Sequence, residues 1–117
     1  MKYLLLVYAA ENAYEPGERE ECFEESTRLV DDLRAKGQYL GASPLRSVST
    51  ATSVRVRGGK RMVTDGPFAE TREQLGGYFL VDAANLDDAI DIAGRIPGAR
   101  KGTVEVRPIE HMPGIND

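Results

Sequence analysis

The chain has 117 residues, enough for one domain with a real core. Hydrophobic residues make up 41% and charged residues 29%, a balance that excludes a disordered chain. A net charge of −4 argues against direct nucleic-acid binding, no run approaches the roughly 20 apolar residues of a membrane span, and the single cysteine, Cys22, cannot form an internal disulfide.

In chain order, Tyr3 to Tyr8 is continuously apolar and reads as a strand covered on both faces. The run from Met1 to Ala10 has a lone Lys2 and no Ala-x-Ala site after it, so a strand is expected rather than a signal peptide, in a cytoplasmic protein. A helix follows, with Pro16 in its first turn and Cys22, Phe23, Ser26, Leu29, Val30 and Leu33 on one face. Cys22 is expected as a buried thiol on that stripe. Acids crowd the first turns, where the helix dipole favours them, and Gly37 ends the helix. Gln38 to Ala42 is a short strand. Thr52–Arg57 and Lys60–Thr64 form a hairpin around Gly58-Gly59, with Val54 and Val56 alternating with Arg55 and Arg57. Leu75 to Val81 is the next strand, and Tyr78 to Val81 is again apolar throughout. Asn85 caps a second helix with Leu86, Ala89, Ile90 and Ala93 as its stripe, stopped by Pro97 and Gly98. Thr103 to Arg107 closes the series as an edge strand before Pro108, and residues 111–117 read as a loose tail beyond a single domain of residues 1–110.

The order is β-α-β, hairpin, β-α-β. This predicts an α+β fold, ferredoxin-like, with an inserted β-hairpin. The two strands that are apolar on both sides take its two central places. Two helices cover one face only, so the other face calls for a second sheet and predicts a two-fold homodimer. Strand direction places the segment 65–77 at one end of the sheet, with Tyr8, Glu11, Arg95, Arg100 and Lys101, so that acids and bases share a rim. Charge is segregated: residues 11–32 hold nine acids and two bases, and residues 33–64 hold seven bases and no acid. These are two solvated surfaces, or surfaces that meet in a dimer, or a basic hairpin awaiting an acidic partner.

The densest stretch is Asp65-Gly66-Pro67-Phe68-Ala69-Glu70-Thr71-Arg72-Glu73-Gln74-Leu75-Gly76-Gly77. It joins a turn, ionisable side chains and a glycine pair ahead of an apolar strand. Together with Thr52 to Arg57, Ala93 to Ala99 and Val104 to Pro108, it resembles the hallmark of the DGPF-type proteins within the YCII-related family. That resemblance implies a dimeric α/β-barrel and a possible association with an extracytoplasmic-function sigma factor. Two departures stand out. Arg72 replaces the lysine of many relatives, which keeps the charge but not the donor geometry. The acid-base histidine of shorter relatives' first helix is missing, since His111, the only histidine, lies in the tail.

Asp65 serves either as a turn-former or as a base with its pKa raised by burial. Phe68 plugs a core or dimer seam, or stacks on a ligand. Glu70, Thr71, Arg72 and Glu73 form a salt-bridged loop or the polar lining of a small-molecule pocket. Gly76-Gly77 marks a bulge or a close backbone approach. Tyr8 and Arg100 complete the candidate ligand set, with Asp65 as catalytic candidate. One Cys and one His make no metal site, and no phosphate loop precedes a helix, so no cofactor is expected. The expected function is binding of a small molecule in a rim pocket near the Asp65 loop, extending to cofactor-free catalysis; the alternative is a regulatory module meeting a sigma factor.

Overall fold

A computed structural model describes residues 1–117. Six strands and three helices follow in the order β1 (Lys2–Ala9), α1 (Glu18–Ala35), β2 (Tyr39–Pro44), β3 (Thr52–Arg57), β4 (Lys60–Asp65), β5 (Gln74–Asp82), α2 (Leu86–Gly94), α3 (Gly98–Lys101) and β6 (Thr103–Pro108), with a 3-10 turn at Val48–Thr50. The main sheet runs β2-β5-β1-β6 and its strand pairs are all antiparallel; β3 and β4 pair only with each other. This is the ferredoxin-like α+β arrangement with an inserted hairpin. The two strands without a polar face, β1 and β5, sit in the middle, and β6 is an edge strand.

The side-chain period of two sorts the central strands into faces. Tyr3, Leu5, Phe79 and Val81 are buried under the helices, against Leu29, Leu33, Ala89, Ile92, Ala93 and Ile96. Leu4 pairs with Leu80 and Leu6 with Tyr78 on the opposite face, where all four are half-buried in the single chain. The slab is 19 Å thick, one sheet and one helix layer. Its radius of gyration is 16.0 Å, where a compact chain of this length has about 13 Å. The hairpin stands off the slab as an arm, since β3 and β4 pack chiefly on each other. Gly58 and Gly59 both take the positive φ that a two-residue hairpin turn demands. The Gly66 N–H bonds to the Ala51 carbonyl and the Ser53 hydroxyl to the Gly66 carbonyl, which ties off the arm's root.

Several local expectations shift. Pro16 lies ahead of α1, and Gly17, at φ 88°, caps it. The Asn85 side chain does accept from the Asp88 N–H at 2.9 Å, but the buried stripe of α2 is Ala89, Ile92 and Ala93; Leu86 and Ile90 are half exposed. Packing of Ile92 and Ile96 against the sheet rotates the helix away from the stripe that spacing alone suggests. Pro97 and Gly98 do not simply stop a helix. Pro97 precedes the short α3, whose N-terminal glycine sits where an added Cβ would lie 2.5 Å from Val7 Cγ1. Residues 111–117 curl into a turn, with the Met112 N–H bonded to Asn116 and His111 to Asp117 at 3.0 Å.

Candidate functional site

The largest concavity lies between α1 and the sheet. It has a volume of about 440 Å³, within the range of small-molecule sites. Its floor is Val7, Ala42, Gly77 and Phe79; its roof is Cys22, Phe23, Ser26, Thr27 and Val30; Tyr14 and Ile96 to Gly98 form a wall. A smaller pocket of about 100 Å³ adjoins it and shares Val7, Tyr14, Cys22, Phe23, Pro44 and Gly76.

The sequence makes this space in two ways. Leu29 and Leu33 pin the C-terminal half of α1 to the core, while the N-terminal half presents Cys22 and Ser26, too small to reach the sheet, and Phe23, which is 45% exposed. Beneath them, Gly77 occupies a floor position with no side chain. It can hardly hold one, since a Cβ would approach the Ser43 carbonyl oxygen to 3.0 Å. Gly76 is the extra residue of a bulge, because β1 pairs Val7 with Gly77 and Tyr8 with Leu75. The bulge reading of the glycine pair holds; the backbone that approaches Gly77 closely is β2 of the same chain, rather than a ligand or a neighbouring chain.

Electrostatically the space is quiet inside and charged at its rim. Burial pushes the Tyr14 hydroxyl and the Cys22 thiol up from their ordinary values, so both stay protonated donors at neutral pH. Arg34 stacks over Tyr39 at 4.7 Å from the ring centre and approaches Asp31 at 3.9 Å. Cys22 is half-buried and lines the cavity; it is not the fully buried thiol that its stripe position suggests.

Ion pairs hold the roof. Lys101 meets Glu18 at 2.7 Å, Arg100 grips Glu25 through two bonds of 2.9 and 3.1 Å, and Arg95 bonds to Asp32. The bases expected to share a rim with the loop acids are thus taken by α1. Hydrogen bonds from Lys101 and Arg100 hold Glu18 and Glu25 below the ordinary 4.5, and one from Arg95 holds Asp32 below 3.8. A carboxyl depressed in the folded state stabilises fully above its unfolded pKa and loses that contribution as the pH falls through the folded value. The melting temperature is accordingly expected to stay flat from pH 7 to 5 and to fall below about 4.5. The Arg100→Gln/Lys101→Gln variant should show a shallower acid limb in melts followed by circular dichroism. These carboxylates are exposed, so the difference should shrink with added salt.

The other candidates scatter. Asp65 ends β4, exposed, opposite Thr52. Phe68 is 81% exposed, and Glu70 and Arg72 are exposed with it. The Thr71 hydroxyl donates to the Glu73 carbonyl at 2.6 Å, which closes the loop on itself. Glu73 accepts from the Thr103 hydroxyl at 2.9 Å, and Tyr8, paired with Thr103 across the strands, reaches Glu105 at 3.4 Å. Tyr8 and Glu73 therefore meet around Thr103, while Arg100 serves α1 on the helix side. Tyr14, Ser26 and Tyr39, outside the expected site residues, line the cavity. Ser26, a hydroxyl within an apolar stripe, was the one available signal.

The chain's likeness to known sequences agrees with this architecture. The model of the YCII-related domain matches residues 1–113. The chain belongs to the YCII-related family. An uncharacterized protein of Rhizobium meliloti (strain 1021) is 37% identical to it over 124 aligned residues, covering 97% of each chain. As a YCII-related domain it spans nearly the whole chain, arm included, so the arm is part of the matched unit and not an appended segment. No helix of this YCII-related chain is long and apolar enough to cross a membrane.

Proposed function

We propose that this YCII-related protein binds a small, largely apolar organic molecule in the cavity beneath the N-terminal half of α1, as a homodimer whose open sheet faces stack. The cavity itself carries the reading: a space of about 440 Å³ whose floor includes Gly77 of the signature segment. Its size suits one ligand, its walls are half apolar, and Tyr14 and Ser26 offer hydroxyls to orient a carbonyl or hydroxyl group. The roof carries no imidazole, so the support is for binding and orientation rather than proton transfer by histidine. The DGPF-type loop then serves as the turn and spacer that delivers Gly76-Gly77 to the floor. Two sheets stacked through Leu4, Leu6, Tyr78 and Leu80 would cover the face that the helices leave bare.

The test is a thermal-shift screen with a library of small carboxylic, phenolic and enolic metabolites on the wild type and on Ser26→Phe. A ligand at a hundred times its Kd should stabilise the wild type by about 2.7 kcal/mol. Phenylalanine at 26 should fill the roof, leave the fold intact and abolish the shift. A ligand that stabilises both proteins equally would place binding elsewhere.

A second reading has one observation behind it. Arg55, Arg57, Lys60 and Arg61 on the arm form no ion pair within the chain. A basic arm of this kind suits an acidic surface on a protein partner such as a sigma factor. Pull-down with an Arg55→Glu/Arg57→Glu variant tests it: loss of a partner that the wild type retains supports the reading, and equal recovery opposes it.

A further inference from the structure

The arm has two unlike faces. Register places Thr52, Val54, Val56, Arg61, Val63 and Asp65 on one and Ser53, Arg55, Arg57, Lys60, Met62 and Thr64 on the other. Val54, Val56 and Val63 are 59%, 60% and 58% exposed, and Phe68 beyond the root is 81% exposed. A two-stranded ribbon standing alone is marginal in water, and β3 and β4 have no third strand. The valine face therefore lacks a cover within its own chain.

The size of the open sheet face indicates what covers it. Four strands of 6–9 residues give a platform of about 450 Å² in plan, against the about 800 Å² per partner of a standard stable interface. The arm's valine face adds about 200 Å² of the same apolar character to each partner's side of the contact. We infer that the arm is exchanged between subunits: the β3–β4 ribbon of each copy lays Val54, Val56 and Val63, with Phe68 at its root, against the margin of the partner's open sheet. This rests on the dimer proposed above and names what completes it. The opposite, basic face of the ribbon stays in water, where its charges need no partner.

Sedimentation equilibrium and hydrogen exchange test the exchange. Val54→Thr/Val56→Thr/Val63→Thr keeps β-branching and strand propensity, and these positions are exposed in the single chain, so the slab should fold unchanged. The dimer Kd is expected to rise at least tenfold, whereas Arg55→Glu/Arg57→Glu should leave it within a factor of three. Amides of residues 52–65 should be protected in the wild-type dimer and exchange freely in Leu80→Lys, a variant that disrupts the sheet-face contact. A wild-type dimer whose Kd ignores the valines, or an arm equally protected in Leu80→Lys, would overturn the exchange and leave the sheet-face dimer standing. Sensitivity to the arginines alone would overturn it in favour of an electrostatic contact. A wild type that is monomeric at every concentration would remove the dimer itself, and the exchange with it.

Discussion

Alanine at position 102 is expected to destabilise the domain by about 3 kcal/mol, lowering the melting temperature by on the order of 10 °C. Gly102 closes α3, its N–H bonded to the Gly98 carbonyl at 2.8 Å, and turns the chain into β6 directly beside the end of β1. A Cβ there would overlap the Tyr8 carbonyl oxygen and lie 2.9 Å from the Ala9 Cα. Both obstacles are backbone, so no rotamer change relieves them. Either α3 and β6 move off β1, or the ladder in which Tyr8 pairs with Thr103 and Leu75 opens at its end. Gly94→Ala provides the control: nothing lies within 4 Å of its Cβ, and alanine in a helix is favoured over glycine by about 0.5–1 kcal/mol. The two substitutions should shift thermal melts in opposite directions. A Gly102→Ala protein that melts with the wild type would mean that α3 and β1 are not packed as described.

Lysine in place of Leu80 should raise the Kd of the proposed dimer by about three orders of magnitude while sparing the subunit. Leu80 lies at the centre of the open face, between Leu4 on β1 and Gly41 on β2, with no carboxylate directly opposite. In a single chain the residue is half-buried, and a lysine can carry its ammonium to water along an apolar stem. In a two-fold stack two such ammonium groups would be trapped in one interface; a penalty of about 4 kcal/mol corresponds to the expected factor. Sedimentation should find a monomer, with far-UV circular dichroism and the slab's own melt close to those of the wild type. A Leu80→Lys protein that remains dimeric would move the interface to another surface.

The parts of the fold that the sequence discloses are those where one rule acts without competition. Continuous apolar runs at Tyr3–Tyr8 and Tyr78–Val81 identify the central strands because only a doubly covered strand dispenses with a polar face. Gly58-Gly59 identifies the hairpin because few other residues accept two successive positive φ angles. The α2 stripe misleads because Leu86 and Ile90 are apolar yet end half exposed; helical spacing proposes a face, and the neighbouring sheet selects one. The site is hidden for a similar reason. A cavity is made of what is absent: a side chain at Gly77, bulk at Ala42 and Ser26, and an anchor for the front of α1. The charged loop from Asp65 to Glu73 attracts attention by its chemistry, but Phe68, Glu70 and Arg72 point into solvent in the single chain, and the segment's contribution to the cavity is its pair of glycines. The acids of α1 read as a dipole effect, and Glu18, Glu25 and Asp32 also clamp the helix to the segment around α3.

The most direct measurement follows backbone amide resonances of the 15N-labelled protein while pools of small organic acids and phenols are added. Binding beneath α1 should move Cys22, Ser26, Val30, Ala42 and Gly77 together and saturably, with Asp65 to Arg72 unmoved, and Ser26→Phe should abolish the response. Shifts that cluster on Asp65 to Arg72 and leave the α1 amides still would contradict a ligand site between helix and sheet.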